Sequence, residues 1–369
     1  MRKIFDVELS AQGRCTELAL PATPWSMQDA LEKLNLREDD IPHCEILRIH
    51  SCGALYPYLK HADALFELNA LCQQLALLDE AQISILEGLV KMEYGQQDEQ
   101  PAPLSRLIDI ACSTDCCHFL AGITTDVQLG RFCAETGFVP EVDDLPDAFF
   151  EMLNFEQIGR DFRRNEGGVF THNGYVQRYE EVRQVYGTLE LTLKKPDYTI
   201  LVETASGCEV KLPVPLGDPT GDEPVLCLDC AAPALIGLSG TMATWDLLAH
   251  RLAELEVDGE LPKYKAVLEV IDCDDICWAL SLTDELEQYM LDTKKHTPEE
   301  VARGAIDMTV PHREIESLLP HVNLYQYGQS LIQAGGGALT EYGLIERTDG
   351  QPVQAIDQEQ SQTGGMSFA

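Results

Sequence analysis

Two kinds of side chain in this sequence have the type and spacing to do chemistry: its thiols and its carboxylates. CLDC at 227–230 has Cys-x-x-Cys spacing. A structural zinc site takes four ligands, and Cys273 and Cys277, four apart, are the pair that would complete one. The competing reading is core thiols, for which Cys112, Cys116 and Cys117 are equally suited, because a free Cys packs as a small hydrophobe. A redox Cys-x-x-Cys opens a helix in a thioredoxin-like unit, and DEPVLCLDCAAPAL does not read as one. The adjacent acids Asp143-Asp144 and Asp274-Asp275 have the oxygen donors that Mg²⁺ takes. In a chain this rich in acid, adjacent pairs carry little information. No His-Glu-x-x-His, phosphate loop, nucleophile elbow or dinucleotide fingerprint occurs. GGG at 335–337 lacks the Lys of a phosphate loop and reads as a turn. The residues point to no enzyme, no metal and no cofactor.

What remains is charge. The chain of 369 residues carries 62 Asp+Glu against 26 Lys+Arg, a net charge of −36. Disordered acidic chains are poor in apolar residues. Here 45% of residues are hydrophobic, so the chain must fold and carry a large negative surface at once. Self-repulsion costs stability. The plain explanation is a solvated acidic surface; the sharper one is that the field is the function. Such a surface repels nucleic acid and anionic membranes and attracts basic partners, including DNA-binding clefts. B-DNA carries one charge per ~1.7 Å of axis, so 36 excess charges correspond to roughly 60 Å of duplex. Glu135, Glu141, Asp143, Asp144, Asp147, Glu151, Glu156 and Asp161 lie in one stretch whose only base is Arg160. Glu254, Glu256, Asp258 and Glu260 form a second cluster, and Asp272, Asp274, Asp275, Asp284, Glu285 and Glu287 a third.

The start, MRKIFDVELSAQG, has no apolar core of signal-peptide length, and no apolar run is long enough to span a bilayer. The 13 Cys are odd in number and irregular in spacing, which suits reduced thiols. A cytoplasmic protein is expected.

The elements that must position these acids follow from periodicity. IFDVELS (4–10) and CTELALP (15–21) alternate about the turn AQG, which predicts a hairpin with Phe5, Val7 and Leu9 on one face. TPWSMQDALEKLNL predicts a helix capped by Thr23 with Pro24 at its first position; CEILRI (44–49) adds a third strand. Two amphipathic helices are expected over 61–93 and a linker at 95–103. TTDVQLGRFCAETG is a helix capped at Thr125 or Asp126 and ended by Gly137. After Leu145-Pro146 a further helix is expected, and GGVFTHNGYVQRY reads as a hairpin. In the second half TLELTLKK, YTILVET and EVKLPV are strand-like, and ATWDLLAHRLAELEV is helical, with Trp245 resembling Trp25 in placement.

The chain also repeats itself. Asn154, Gly159, Gly167, Gly168, Thr171, Gly174 and Arg178 return as Asn323, Gly328, Gly336, Gly337, Thr340, Gly343 and Arg347, each 169 positions on (323 − 154 = 169). Thr283-Asp284 is matched to Thr125-Asp126, 158 positions apart, which predicts about 11 extra residues in the second copy, with DTKKHTPEEVA as the insertion. The helical pair of 61–93 has no evident counterpart. The expected fold class is α+β. Expected domains are 1–55 (small α+β), 56–102 (helical), 103–180 (α+β), 181–265 and 266–348 (their second copies), and a frayed tail, 349–369.

Residues 124–178 resemble the ArdA antirestriction proteins. The order that carries the likeness is an acidic helix ending at Glu135 to Gly137, Leu145-Pro146, the aromatics Phe149, Phe150 and Phe155, and Gly159-Arg160-Asp161. DALFELNALCQQLALLDEAQISILEGLV is similar to that family's middle region. The likeness covers residues 1–178, about half the chain. It implies an elongated, three-part, usually dimeric DNA mimic, carried by mobile elements. Such a mimic occupies the DNA site of Type I restriction–modification enzymes without catalysis, cofactor or direct nucleic-acid binding. Asp109, Asp115, Asp126, Glu135, Glu141, Asp143, Asp144, Asp147, Glu151, Glu156 and Asp161 would then form much of the mimic surface, and binding would weaken steeply with salt. The chain departs from the family in its length, about twice that expected, and in Gln329-Ser330, which replace Arg-Asp in the second copy. The alternatives are a non-enzymatic accessory or regulatory protein of a mobile element that binds a basic partner, and an inhibitor of another defence nuclease.

Overall fold

The computed structural model describes residues 2–36, 41–59, 64–95, 102–140, 147–189, 191, 195–214, 221–310, 315 and 319–353. The chain forms two compact units, residues 1–22 with 36–193 and residues 23–35 with 194–369, and the excess of acid divides nearly evenly between them. The fold class is α+β, with antiparallel sheets.

Unit 1 begins with strands β1 (Phe5–Ala11), β2 (Arg14–Leu20) and β3 (His43–Ile49) in the order β2-β1-β3. Gln12 and Gly13 both have positive φ (53° and 81°), the backbone of a two-residue hairpin turn. That turn sets the register Glu8↔Glu17. Phe5, Val7, Leu9 and Leu20 are fully buried on one face, as the alternation requires. Helix α2 (Leu65–Leu77) is fastened to the end of the hairpin by Asn69, which accepts the Ala22 N–H (2.8 Å) and donates to its carbonyl (3.3 Å). Helix α3 (Glu80–Tyr94) starts at a capping box formed by Asp79 and Gln82, and α4 (Leu104–Ala111) follows. A second sheet, order β4-β6-β5, joins β4 (Cys117–Ala121), β5 (Val169–Phe170) and β6 (Gly174–Arg178). Gly88 admits this sheet to α3: a Cβ there would lie 2.7 Å from Val176. Between β4 and β5 run α5 (Asp126–Glu135), a short α6 (Asp147–Phe150) and α7 (Phe155–Glu166).

Unit 2 opens with a helix taken from between β2 and β3: α1 (Pro24–Lys33), capped by Thr23 with Pro24 at its first turn, as its sequence predicts. Its companions differ from those expected. Instead of completing a domain of residues 1–55, α1 buries Trp25 (2% exposed) in the core that holds Trp245, Ile200 and Leu248. The Trp25 indole N–H donates to the Tyr198 carbonyl (3.0 Å), and its backbone N–H reaches the buried Asp229 carboxylate (3.3 Å). Strands β7 (Ile200–Thr204), β8 (Glu209–Leu212), β9 (Pro224–Cys230) and β10 (Ser239–Thr241) form a sheet of order β10-β9-β7-β8. Helices α8 (Met242–Asp258), α9 (Leu261–Ile271) and α10 (Ile276–Glu285) follow. A last sheet, order β11-β13-β12, contains β11 (Tyr289–Asp292), β12 (Ala338–Thr340) and β13 (Gly343–Arg347), with α11 (Pro298–Thr309) and α12 (Leu324–Gly335) between β11 and β12. TLELTLKK contributes no strand among the described residues: Thr188 closes a 3₁₀ turn, and positions 190 and 192–194 lie outside them.

The repeat extends further than its sequence signature. The cap of α5 is Thr125 and that of α11 is Thr297, each in a capping box, so the two are 172 positions apart; the caps of α7 and α12, Asn154 and Asn323, are 169 apart. The match of Thr283-Asp284 to Thr125-Asp126 is therefore wrong, and no 11-residue insertion exists. DTKKHTPEEVA is the turn into α11 and its first residues, and the second copy is three residues shorter before its last helix. The pair α2–α3, thought to lack a counterpart, is answered by α8–α9, because in both units three helices lead from the first sheet to the second. The first sheets also correspond. The extra residue of a bulge, Leu47 on β3 and Leu228 on β9, lies opposite the Asp6–Val7 step of β1 and the Leu201–Val202 step of β7, and Phe5↔Leu20, Phe5↔Ile49 are matched by Ile200↔Leu212, Ile200↔Cys230.

Candidate functional site

Helices α5 and α7 cross where glycine faces backbone. A Cβ on Gly130 would come within 1.8 Å of the Phe155 carbonyl oxygen, and one on Gly159 within 1.9 Å of the Asp126 carbonyl oxygen. This contact brings two charged helices together. Arginines from outside the acidic stretch then meet its acids. Arg131 pairs with Glu135 (3.7 Å) and Glu151 (2.7 Å), and its guanidinium lies 5.1 Å from the Phe155 ring. Arg163 grips Asp126 through two bonds (2.9 and 3.2 Å), and this pairing holds the guanidinium above its ordinary pKa. Arg160 pairs with Glu156, Arg164 with Asp161 (3.9 Å) and Arg183 with Asp115 (2.6 Å). Asp109 is buried (7% exposed): it accepts the Val185 and Tyr186 N–H groups at 2.7 and 2.8 Å, with Arg106 3.9 Å away.

Each predicted acid whose side chain is described thus has an arginine within 4.0 Å. Asp109 is turned inward to hold a loop and cannot present charge to a partner. Asp115, Asp126, Glu135, Glu151, Glu156 and Asp161 belong to a zipper of opposite charges, not to a bare row. Exposed pairs of this kind contribute little stability, but each cation cancels much of its neighbour's field. Glu141, Asp143 and Asp144 lie outside the described residues, and of Asp147 only its place in α6 is described. The expectation of an acid stretch nearly free of bases held along the sequence and fails in space.

A bare row does exist, on the exposed face of the first sheet. Register places Glu17, Glu8 and Glu45 abreast on β2, β1 and β3. None of the three has an ion-pair partner among the described residues; the nearby Arg48 and His50 both go to Asp6, at 3.2 and 2.8 Å. Neighbouring strands lie ~4.8 Å apart, so the row spans about 10 Å. Like charges directly opposite in a sheet are destabilising, and this row sets them opposite twice. The first sheet of unit 2 retains half of it: Glu209 faces Glu203, but the third place is Leu226. Sequence reasoning overlooked the row. The alternation of IFDVELS put Glu8 outside, and a two-residue turn would have paired it with Glu17; nothing local pointed to Glu45.

No family model matches the chain, and no curated protein does.

The other candidates resolve by burial. The bulge at Leu228 turns both Cys227 and Cys230 into the core, although three positions apart on a regular strand they would face opposite ways. A hydrogen bond with Cys230, together with burial, pushes the Cys227 thiol well above its ordinary value. Cys273 is buried and Cys277 exposed, and no group of three or more metal-ligating side chains assembles among the described residues. In the second acid cluster Glu254, Glu256 and Glu260 pair with Arg251, Lys195 and Lys263. In the third, Asp284 pairs with Arg251 and Asp275 caps α10. Among the described residues no helix is long and apolar enough to cross a membrane.

Proposed function

We propose that this protein is an acidic DNA mimic that inhibits Type I restriction–modification enzymes by occupying their DNA-binding cleft in the cytoplasm, without catalysis. The observation that carries the reading is the carboxylate row Glu17–Glu8–Glu45 on a chain of net charge −36. One DNA strand carries about three phosphates in 10 Å of axis, and the row supplies three carboxylates over about that span. A sheet that keeps three repelling charges abreast gives up stability for no packing gain, as functional surfaces do. The resemblance of residues 1–178 to the ArdA family supports the same reading. The arginine-paired acids of α5 and α7 are then secondary contributors to the surface.

The test is cleavage of DNA by a purified Type I enzyme, with this protein and competitor DNA titrated at several salt concentrations. Inhibition should weaken steeply as salt rises, and the triple change Glu8→Gln, Glu17→Gln, Glu45→Gln should weaken it far more than Glu135→Gln, Glu151→Gln, Glu156→Gln. Cleavage unimpaired at saturating protein would end the reading. A second reading, a non-enzymatic accessory protein that docks on a basic partner, is favoured by the charge zipper, which offers arginines as well as acids to a protein surface. It predicts partner binding that survives salt and no effect on restriction.

A further inference from the structure

Two thiols of unit 1 are placed to act together. Cys116 ends the 3₁₀ turn Thr114–Cys116, and Cys117 opens β4. The chain changes from turn to strand between them, so their side chains do not diverge as strand neighbours would, and the two Sγ atoms lie 3.8 Å apart. Cys116 is 4% exposed and Cys117 half-buried. Burial, followed by the neighbouring thiol, pushes Cys117 up to about 12 against the pull of Arg178, its partner across the sheet. The fold itself does not call for sulfur here. In unit 2 the 3₁₀ turn Leu286–Gln288 leads into β11 at Tyr289, and Tyr289 pairs with Arg347 as Cys117 pairs with Arg178. The Gln288 carbonyl accepts the Thr348 N–H (2.8 Å) as the Cys116 carbonyl accepts that of Tyr179 (3.1 Å). Gln288-Tyr289 thus stand where Cys116-Cys117 do, with the same backbone bonds and no thiol.

Geometry separates the chemistries open to such a pair. The Cys116–Cys117 peptide is trans. A trans peptide holds adjacent Cα atoms about 3.8 Å apart, closer than the ~4.4–6.8 Å that disulfides ordinarily span, so direct S–S closure would strain the backbone. A structural zinc takes four ligands, and no group of three or more metal-ligating side chains assembles among the described residues. A thiol kept protonated is a poor nucleophile toward peroxides and alkylating agents. What fits is a single soft atom that needs only two sulfurs, bridges them without drawing them into bonding contact, and carries the thiol protons away itself. Trivalent arsenic bearing one organic group and two hydroxyls has that chemistry.

We propose that Cys116 and Cys117 form a chelating site for a monosubstituted trivalent arsenical. Cys117, the more accessible thiol, reacts first, and Cys116 closes the ring. At each step an S–As bond forms, an As–O bond breaks, and the thiol proton leaves with the hydroxyl as water. Two waters are released in all and the arsenic stays trivalent, so the exchange needs no oxidant or reductant. The second bond forms within the molecule, which makes the pair hold the ligand far tighter than either thiol alone. This inference stands apart from the DNA-mimic reading and does not depend on it. The experiment is titration of the reduced full chain with phenylarsine oxide, which carries two hydroxyls in water, in the presence of excess 2-mercaptoethanol, with the adduct read by intact mass. One retained equivalent is expected, released by 1,2-ethanedithiol; Cys227 and Cys230, 1% and 0% exposed, are too deeply buried to supply another. Cys117→Ser and Cys116→Ala should each weaken retention about a hundredfold or more, with the melting temperature reporting that the variant is folded. Cys227→Ser and Cys277→Ser should leave retention unchanged. Loss of the adduct to 2-mercaptoethanol in the unaltered chain overturns the proposal, and so does undiminished retention by folded Cys117→Ser, because the arsenic would then sit on other thiols.

Discussion

The two copies of the first sheet share strand order, bulge and pairing but differ on their outer faces. In unit 1 the three central positions are Glu17, Glu8 and Glu45; in unit 2 they are Glu209, Glu203 and Leu226, which is 38% exposed. The last helices differ in the same sense. Helix α7 carries Glu156, Asp161 and Glu166 with three arginines, whereas α12 has no charged residue and exposes Tyr325 and Tyr327. The inner faces were kept and the outer ones diverged. Packing constrains a buried position through every neighbour it touches, while an exposed position answers only to solvent and partner. The comparison therefore separates what the fold needs from what one copy does.

The largest effect should come from the helix that breaks the symmetry. Trp25→Ala removes a buried indole from the core of unit 2 and should cost it about 3–5 kcal/mol. Hydrogen exchange read unit by unit would check this: α8–α10 should lose protection and β1–β3 should keep theirs. Next come the glycines shared by both copies. Gly159→Ala and Gly328→Ala each put a Cβ within 2 Å of a backbone oxygen, 1.9 Å from Asp126 and 1.7 Å from Pro298, and each should cost roughly 1–3 kcal/mol or more in thermal unfolding. Similar losses would mark them as fold positions; a loss confined to one copy would break the equivalence drawn between α5–α7 and α11–α12.

The outer faces give smaller effects of opposite sign. Glu8→Thr relieves two repulsions and should stabilise unit 1 by roughly 0.2–1 kcal/mol, a gain that shrinks as salt is added. Glu203→Thr relieves one and should gain less. Leu226→Glu, which completes the row in unit 2, should be mildly destabilising. Denaturant melts at two salt concentrations would decide among these. The smallest effect concerns pH. Glu269 has a folded pKa raised above its ordinary 4.5, so its ionised form opposes folding at neutral pH and the penalty disappears below 4.5. Glu269→Gln should therefore raise the melting temperature at pH 7, with the difference closing as pH falls through the folded value. Lys265 is also raised, from 10.5, but as a base: its contribution is complete below 10.5 and is lost as pH climbs through the folded value.

Some of this was legible in the order of residues. Thr23 and Thr125 cap helices where their local signals say, because a cap depends on three or four neighbouring residues. The buried alternation of β1 and the repeated Asn, Gly and Thr of the last helix and hairpin are local in the same way. The alignment of α5 failed because Thr-Asp is a weak signature and Pro298 stands where Asp126 does. The acid stretch misled for another reason. Arg131 lies on the preceding helix, and Arg163, Arg164 and Arg183 follow the stretch, so a count along the chain misses the neutralisation that a helix crossing brings about.

By itself the sequence determined the charge of −36, the α+β class, the duplication and the capped ends of its helices, all properties of composition or of residues a few positions apart. Only the tertiary structure decided which acids are bare and which paired, that Glu45 lies beside Glu8, that Cys227 and Cys230 share one side of their strand, and that α1 belongs to the core of unit 2. Each of these depends on strand register, on a one-residue bulge or on a close helix crossing. Each is settled by long-range packing, which makes neighbours of residues far apart in the chain.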